Sequence, residues 1–347
     1  VKRRDFLKTA AAGAALPFAR WRGLAADAPA RSTMGVVAYS FPTNPVSKKA
    51  LDFLELCASL GAGGVQIRLE SLEADFVRRF RQRAEGLKMF YEGVVGLPDP
   101  KAPERFEREV AAAKEAGAVC LRTACLSGRR YETFRTLDEW KEFAAESNRR
   151  LRLAVSVAEK HRIPLGVENH KDWTADEFFA LVREYESEYF GVCLDTGNNI
   201  AMLDDPMEFV ETFAPYAVTT HIKDMGVEND PDGFLLSEVA LGKGALDLPR
   251  VVETIRKARP RANFNLEMIT RDPLKIPCLT DAYWQTFPER NGRYLARTLR
   301  WVRENRSREP LPRVSRLDAA SRLEAEEENV RESLAFARRQ LGLAATS

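Results

Sequence analysis

The chain is short of histidine, has only scattered cysteine and lacks any long apolar run, and each scarcity removes a class of function. Its three histidines, His161, His170 and His221, cannot build a histidine-rich cluster of several metal ions. Five cysteines, Cys57, Cys120, Cys125, Cys193 and Cys278, are an odd number with no Cys-x-x-Cys spacing. That argues against a disulfide framework and a thiolate zinc ribbon, and leaves them as small buried apolar side chains. No Gly-x-Gly-x-x-Gly follows the first strand-like run, so the dinucleotide-binding turn is missing. No segment reaches the ~20 apolar residues that cross a bilayer, so stable membrane insertion is not expected. Charge of one sign is also lacking: the formal net charge is +2, and the first 28 residues hold six basic against two acidic side chains. The remaining body is slightly acidic and offers no electrostatic footprint to a nucleic acid.

What is present is the composition of a globular protein, 347 residues with 45% hydrophobic and 30% charged side chains. Residues 1–28 read as an address. Lys2-Arg3-Arg4-Asp5-Phe6-Leu7-Lys8 precedes a weakly apolar, alanine-rich run from Thr9 to Ala19, then Leu24-Ala25-Ala26-Asp27-Ala28, whose small residues suit peptidase cleavage. The paired arginines with Phe-Leu-Lys resemble a twin-arginine signal, which is read by a receptor and does not anchor the chain. The expectation is export by the twin-arginine machinery to the periplasm.

Short β-branched runs recur at 34–41, 64–68, 89–95, 119–125, 163–168, 190–195, 217–222 and 263–269, with helical apolar spacing between them. Eight alternating strand and helix units predict a closed (β/α)8 TIM barrel over 34–305, with longer insertions before the fifth and the eighth strand. Thr174, Asp205-Pro206 and Asp247-Leu248-Pro249 are expected helix starts. After Pro310 and Pro312 the composition shifts, and a C-terminal helical extension is expected in 306–347. Leu323, Val330, Leu334, Ala337 and Leu341 form its apolar stripe, directed at the barrel exterior or at a second copy of the chain in a homo-oligomer, while Glu324 to Glu328 form a solvated face.

Chemistry in such a barrel sits where strands end. The last four strands each end on one candidate: Glu168, Asp195, His221 and Glu267. Three carboxylates and an imidazole at equivalent positions repel unless a cation lies among them. Oxygen-rich ligation with one nitrogen suits a single divalent ion, Mn²⁺ first, with Mg²⁺ or Co²⁺ as alternatives.

At these residues the chain resembles the xylose isomerase-like superfamily of sugar isomerases, epimerases and related lyases, over about 34–305. The likeness rests on Val167-Glu168-Asn169-His170, Cys193-Leu194-Asp195-Thr196-Gly197-Asn198, His221-Ile222-Lys223-Asp224, Leu241-Gly242-Lys243-Gly244-Ala245-Leu246-Asp247 and Leu266-Glu267. It implies a (β/α)8 barrel, a carbohydrate substrate, Glu168, Asp195, His221 and Glu267 as metal ligands, and Glu168 and Glu267 as the pair that moves protons. A metal that chelates a ketose stabilises the enediolate left by proton removal, and the fate of the returned proton separates epimerase from isomerase. The expected activity is that of a metal-dependent isomerase or epimerase. The alternative on the same site is a lyase, resembling an inosose dehydratase or eliminating from a keto-glycoside. A phosphodiesterase like the superfamily's AP endonucleases is disfavoured by the scarcity of histidine. Where the epimerase branch carries a histidine after the Asp-Thr segment, this chain has Asn198 and Asn199.

His170, Lys223, Arg122 and Glu70 are further candidates for substrate contact, because each stands at or just past a strand end. His161 precedes a strand and is expected in solvent. Phe234, Tyr283, Trp284 and Phe287 either wall the sugar site or pack.

Overall fold

A computed structural model describes residues 33–344. The export signature at residues 1–28 lies outside the described residues. The eight expected runs are the eight strands of one parallel sheet: β1 (Met34–Val37), β2 (Gly64–Ile67), β3 (Phe90–Val94), β4 (Ala118–Ala124), β5 (Leu165–Glu168), β6 (Phe190–Asp195), β7 (Ala217–His221) and β10 (Phe264–Leu266). They pair in order, with β10 beside β1. The last seam closes where Ile222 bridges Leu266: Ile222 N donates to Asn265 O at 2.7 Å and Glu267 N to Ile222 O at 3.2 Å. These are the backbone bonds of a TIM barrel, and they leave no free edge among the eight strands.

Each strand is followed by a helix of eight residues or more: α1 (Ala50–Ser59), α2 (Ala74–Gly86), α3 (Pro103–Glu115), α4 (Leu137–His161), α5 (Ala175–Arg183), α6 (Pro206–Phe213), α7 (Leu248–Ala258) and α8 (Gly292–Glu304). Local chemistry starts them as expected. Thr174 and Glu177 form a reciprocal capping box at α5, Asp205 caps α6 ahead of Pro206, and Asp247 caps α7. The length before β5 is spent on α4, a 25-residue helix, not on irregular loop. The length before β10 holds a hairpin, β8 (Asp224–Asp230) with β9 (Gly233–Val239), to which β11 (Leu274–Ile276) adds an antiparallel edge.

That small sheet stands over the strand ends and rests on its own apolar cluster with Phe234, Leu236, Ile276, Tyr283 and Phe287. Tyr283 donates to Ala201 O and Trp284 to Cys278 O. The four aromatics therefore pack beneath the inserted sheet and do not wall the strand-end site. His161 is only partly solvated, because its Nε2 lies 3.2 Å from Glu107. All five cysteines are free, four of them buried.

The extension forms α9 (Ala319–Gln340). Val330, Leu334, Ala337 and Leu341 join the main core, so the stripe covers the barrel's own exterior. Two expectations fail here. Leu323 is 36% exposed, since it stands one turn before the helix meets the barrel. Glu326 is fully buried. Its Oε1 accepts from Thr43 N at 2.8 Å and from Thr43 Oγ1 at 2.6 Å, and its Oε2 from Asn44 N at 3.2 Å, which pins α9 to the loop after β1. An acidic run reads as solvated until one member finds donors that no local pattern announces.

The Glu326 anchor predicts an asymmetry. E326A should lower the unfolding free energy by roughly 2–4 kcal/mol in urea denaturation, because charge-assisted bonds from three donors are lost at a buried position. L323A should stay within about 0.5 kcal/mol of the parent, as exposed substitutions do. Equal effects of the two would remove the anchor.

Candidate active site

Glu168, Asp195 and His221 are the last residues of β5, β6 and β7, and Glu267 follows β10. Strand alternation turns all four inward on one rim, and one donor atom from each lies within 4.8 Å of the others. His221 Nδ1 is 3.4 Å from Glu168 Oε2, 3.5 Å from Glu267 Oε2 and 3.8 Å from Asp195 Oδ2. All four residues are at most 2% exposed.

Neighbours aim each donor. His221 Nε2 is 2.7 Å from Gln66 Oε1. An amide oxygen can only accept, so Nε2 carries a hydrogen and Nδ1 is the ring nitrogen turned to the carboxylates. Gln66 is held in turn by Glu92 at 3.0 Å, and Glu92 also accepts from Asn265 at 2.8 Å. This polar layer lies inside the barrel, directly under the site. Asp195 Oδ1 accepts from Gly197 N and Asn198 N at 2.9 and 2.7 Å, which leaves Oδ2 free for the centre. Asn169 ties β5 to β6 by exchanging bonds with Asp195 N and O.

The donor set fits a divalent cation on an observation independent of residue type. Asp195 Oδ2, His221 Nδ1 and Glu267 Oε2 are buried and converge; Lys223 reaches the two oxygens, and His221 Nδ1 has no hydrogen-bond partner. A buried ring nitrogen of this kind, among three carboxylates that Lys223 and Arg122 offset only in part, is stabilised by a further cation. Cys193 also lies near Glu168 and His221, and burial pushes its thiol up to about 12.

Two fixed cations already enter the cluster. Arg122, from the middle of β4, donates from Nε to Glu168 Oε2 at 2.6 Å. Burial alone would raise the Glu168 carboxyl; Arg122 and His221 outweigh it and hold it well below the usual range. Lys223 Nζ lies 2.7 Å from Glu267 Oε2 and 3.0 Å from Asp195 Oδ2. Burial disfavours its charge, but Asp195, Glu267 and Glu238 prevail and keep it protonated. The two residues expected to touch substrate thus also hold the carboxylates in place. His170 stands beside Glu168 with a buried Nδ1 that has no partner, and burial pushes its imidazole down to about 4, so the ring is neutral. Glu70 is a correction: it is exposed, and its Oε2 accepts from Ala50 N at 2.9 Å at the start of α1. A carboxylate just past a strand end was drawn to the nearest helix N-terminus instead of the cluster.

Several residues of the site escaped sequence reading. Asn198 donates to Glu168 Oε1 at 3.1 Å and accepts from Lys223 at 3.1 Å and from Lys171. The departure from histidine at this point is therefore an amide hub. Glu238 comes from the inserted strand β9, 3.5 Å from Lys223, with Arg271 forked onto it at 2.6 and 3.1 Å. Only the alternation of β9 could have hinted at it. The Asp224 of the His-x-Lys-Asp segment does no chemistry. Its carboxylate gathers the amides of Gly242, Gly244 and Leu246 at 2.9 to 3.1 Å, which fixes the Leu241–Asp247 loop where Gly242 turns through φ +87°.

Comparison with known proteins agrees with the fold. A family model described as xylose isomerase-like TIM barrel matches residues 54–304. The chain is 31% identical over 220 residues, 61% of its length and 74% of the relative's, to a 3-oxo-isoapionate decarboxylase of Pectobacterium atrosepticum. Among solved structures it resembles a D-psicose 3-epimerase (TM-score 0.60, 16% identity, 89% of this chain and 99% of that one). It also resembles a xylose isomerase-like TIM barrel protein of Mycobacterium smegmatis in complex with magnesium (TM-score 0.53, 16% identity, 77% and 98%). At those identities the structures speak for the fold alone.

The role of Gln66 gives a test that needs no substrate. Titration calorimetry with Mn²⁺ should show one site per chain, about 10- to 100-fold weaker in Q66L, because the imidazole loses the acceptor that fixes its tautomer. D195N should lose the site outright. Unchanged Mn²⁺ affinity in both variants would show that the cluster is not where the ion binds.

Proposed function

Since the chain belongs to the xylose isomerase-like TIM-barrel family, we propose that it is a divalent-metal-dependent lyase acting beside the ketone of a keto-sugar. The export signature at residues 1–28 supports a periplasmic location. Glu168, Asp195, His221 and Glu267 would hold the ion, Mn²⁺ by the balance of oxygen and nitrogen donors. When bound, it draws electron density from a carbonyl oxygen and so lowers the cost of negative charge on the neighbouring carbon.

The observation that carries the lyase reading is the pairing of both glutamates with fixed cations. Inversion at carbon needs two carboxylates that give and take protons in turn. Glu168 is clamped by Arg122, which keeps it ionised and oriented as a ligand. Glu267 accepts the proton when the C–H bond next to the ketone breaks, its own cation Lys223 being the one that gives up charge in the same elimination. Beside it, Lys223 is an acid already charged: its ammonium gives its proton to the hydroxyl or alkoxy group that leaves the β-carbon as that C–O bond breaks. Proton and leaving group then depart as water or an alcohol. The decarboxylase relative is itself a lyase, which supports this class. A second reading, isomerase or epimerase, is favoured by two glutamates in one cluster, Glu168 and Glu267, at 3.4 and 3.5 Å from His221 Nδ1.

The two readings part in D₂O. With Mn²⁺ and a panel of keto-sugars and 3-keto-glycosides, the lyase should release the β-substituent, and substrate recovered before release should carry deuterium next to the ketone. K223M should keep exchange and lose release, whereas E267Q should lose both by about 10²–10⁴-fold in kcat. An epimer or a shifted carbonyl with nothing released would give the site to the second reading, and no exchange with any member would sink both.

A further inference from the structure

Lys171 is a buried cation near the site with no ion-pair partner among the described residues. It follows His170 in the loop after β5 and is 3% exposed. Among the described residues no carboxylate lies within ion-pair distance of it. Its Nζ donates to Asn198 Oδ1, the same oxygen that accepts from Lys223. Two ammonium groups on one amide oxygen repel; Lys223 is compensated by Asp195 and Glu267, and Lys171 is not. Burial, then Lys223, push Lys171 down to about 8. Its backbone is held at φ +61°, a left-handed conformation that a side-chain-bearing residue adopts at a cost. The scaffold enforces it: Arg130 N donates to Lys171 O at 3.0 Å, and Asp172 Oδ1 gathers the amides of His170 and Trp173.

The segment that holds Lys171 carries a second unsatisfied group. The Tyr131 hydroxyl is buried without a hydrogen-bond partner, and its side chain is next in sequence to the Arg130 amide that holds Lys171. Arg271 and Glu238 are electrostatic neighbours of both Tyr131 and Lys171.

We propose that Lys171, with Tyr131 and Arg271, seats an anionic group of the substrate, so that the substrate class is an acidic keto-sugar carrying a carboxylate or a phosphate. This rests on the metal-dependent keto-sugar reading and names what that reading leaves open. A buried ammonium without a carboxylate, a hydroxyl without a partner and a guanidinium that holds Glu238 yet stays 29% exposed together form the recognition chemistry of an anion. A neutral ketose would leave all three as they stand.

The test is equilibrium binding by calorimetry to the Mn²⁺-loaded and the metal-free protein, with D-fructose, 2-keto-D-gluconate and D-fructose 6-phosphate as probes. One acidic probe should bind about 10- to 100-fold tighter than fructose, the range of one charged hydrogen-bonded contact, and which one does so identifies the anion. K171M should bring that probe to the level of fructose, leave fructose and Mn²⁺ binding unchanged, and melt no lower than the parent, because an uncompensated buried charge is removed. K171G, which relieves the backbone, should show the same loss of binding without a lower melting temperature, and K171R should retain the preference. Fructose binding as tightly as both acids, or an acid preference untouched in K171M, would overturn the proposal. Absence of Mn²⁺ binding with the acid preference intact in the metal-free protein would instead sink the lyase reading and leave the anion site standing.

Discussion

The structure turns on like charges forced together. Three carboxylates meet one imidazole at the end of a barrel, and one oxygen of each and Nδ1 lie within 4.8 Å of one another at buried positions. In such surroundings the repulsion is worth several kcal/mol. Much of the rim is arranged to bear it: Arg122 on Glu168, Lys223 between Asp195 and Glu267, Asn198 joining the two halves. A site of this kind holds energy ready for whatever cation and substrate complete it, and the lyase and the anion-binding proposals both follow from the way the remaining charges are disposed.

That tension needs rigid walls. The barrel provides a sheet without free edges, and a polar layer of Gln66, Glu92, Thr219 and Asn265 stands directly under the donors. Asx-type bonds at Asp195 and the Asn169 bridge fix the loop geometry from above. The inserted sheet of β8, β9 and β11 then brings Glu238 against Lys223, and α9 is tied across the barrel by Glu326. Loops carry the chemistry, and the scaffold limits how far they can relax.

Legibility in the sequence followed the range of the interaction. Strand runs, capping residues and the strand-end ligands repeat at the period of a βα unit, so their signal is local and regular. Thr174, Asp205 and Asp247 cap the helices that their neighbours announced. Glu70 shows the limit. It shares its placement with the true donors, yet a backbone amide at Ala50 is nearer, and proximity decided its partner. Glu326 and Glu238 show the converse: carboxylates in unremarkable runs become buried because donors more than thirty residues away reach them.

By itself, the sequence determined the eight-unit barrel, the helix starts, and the four residue types that face one another across its mouth, because backbone period and side-chain parity need no knowledge of distant neighbours. Only the tertiary structure decided which charges compensate which. The pairing of Arg122 with Glu168, the insertion of Lys223 among the donors, and the isolation of Lys171 depend on distances across four strands and two loops. Coulomb energy in a dry site follows those distances and is blind to order along the chain.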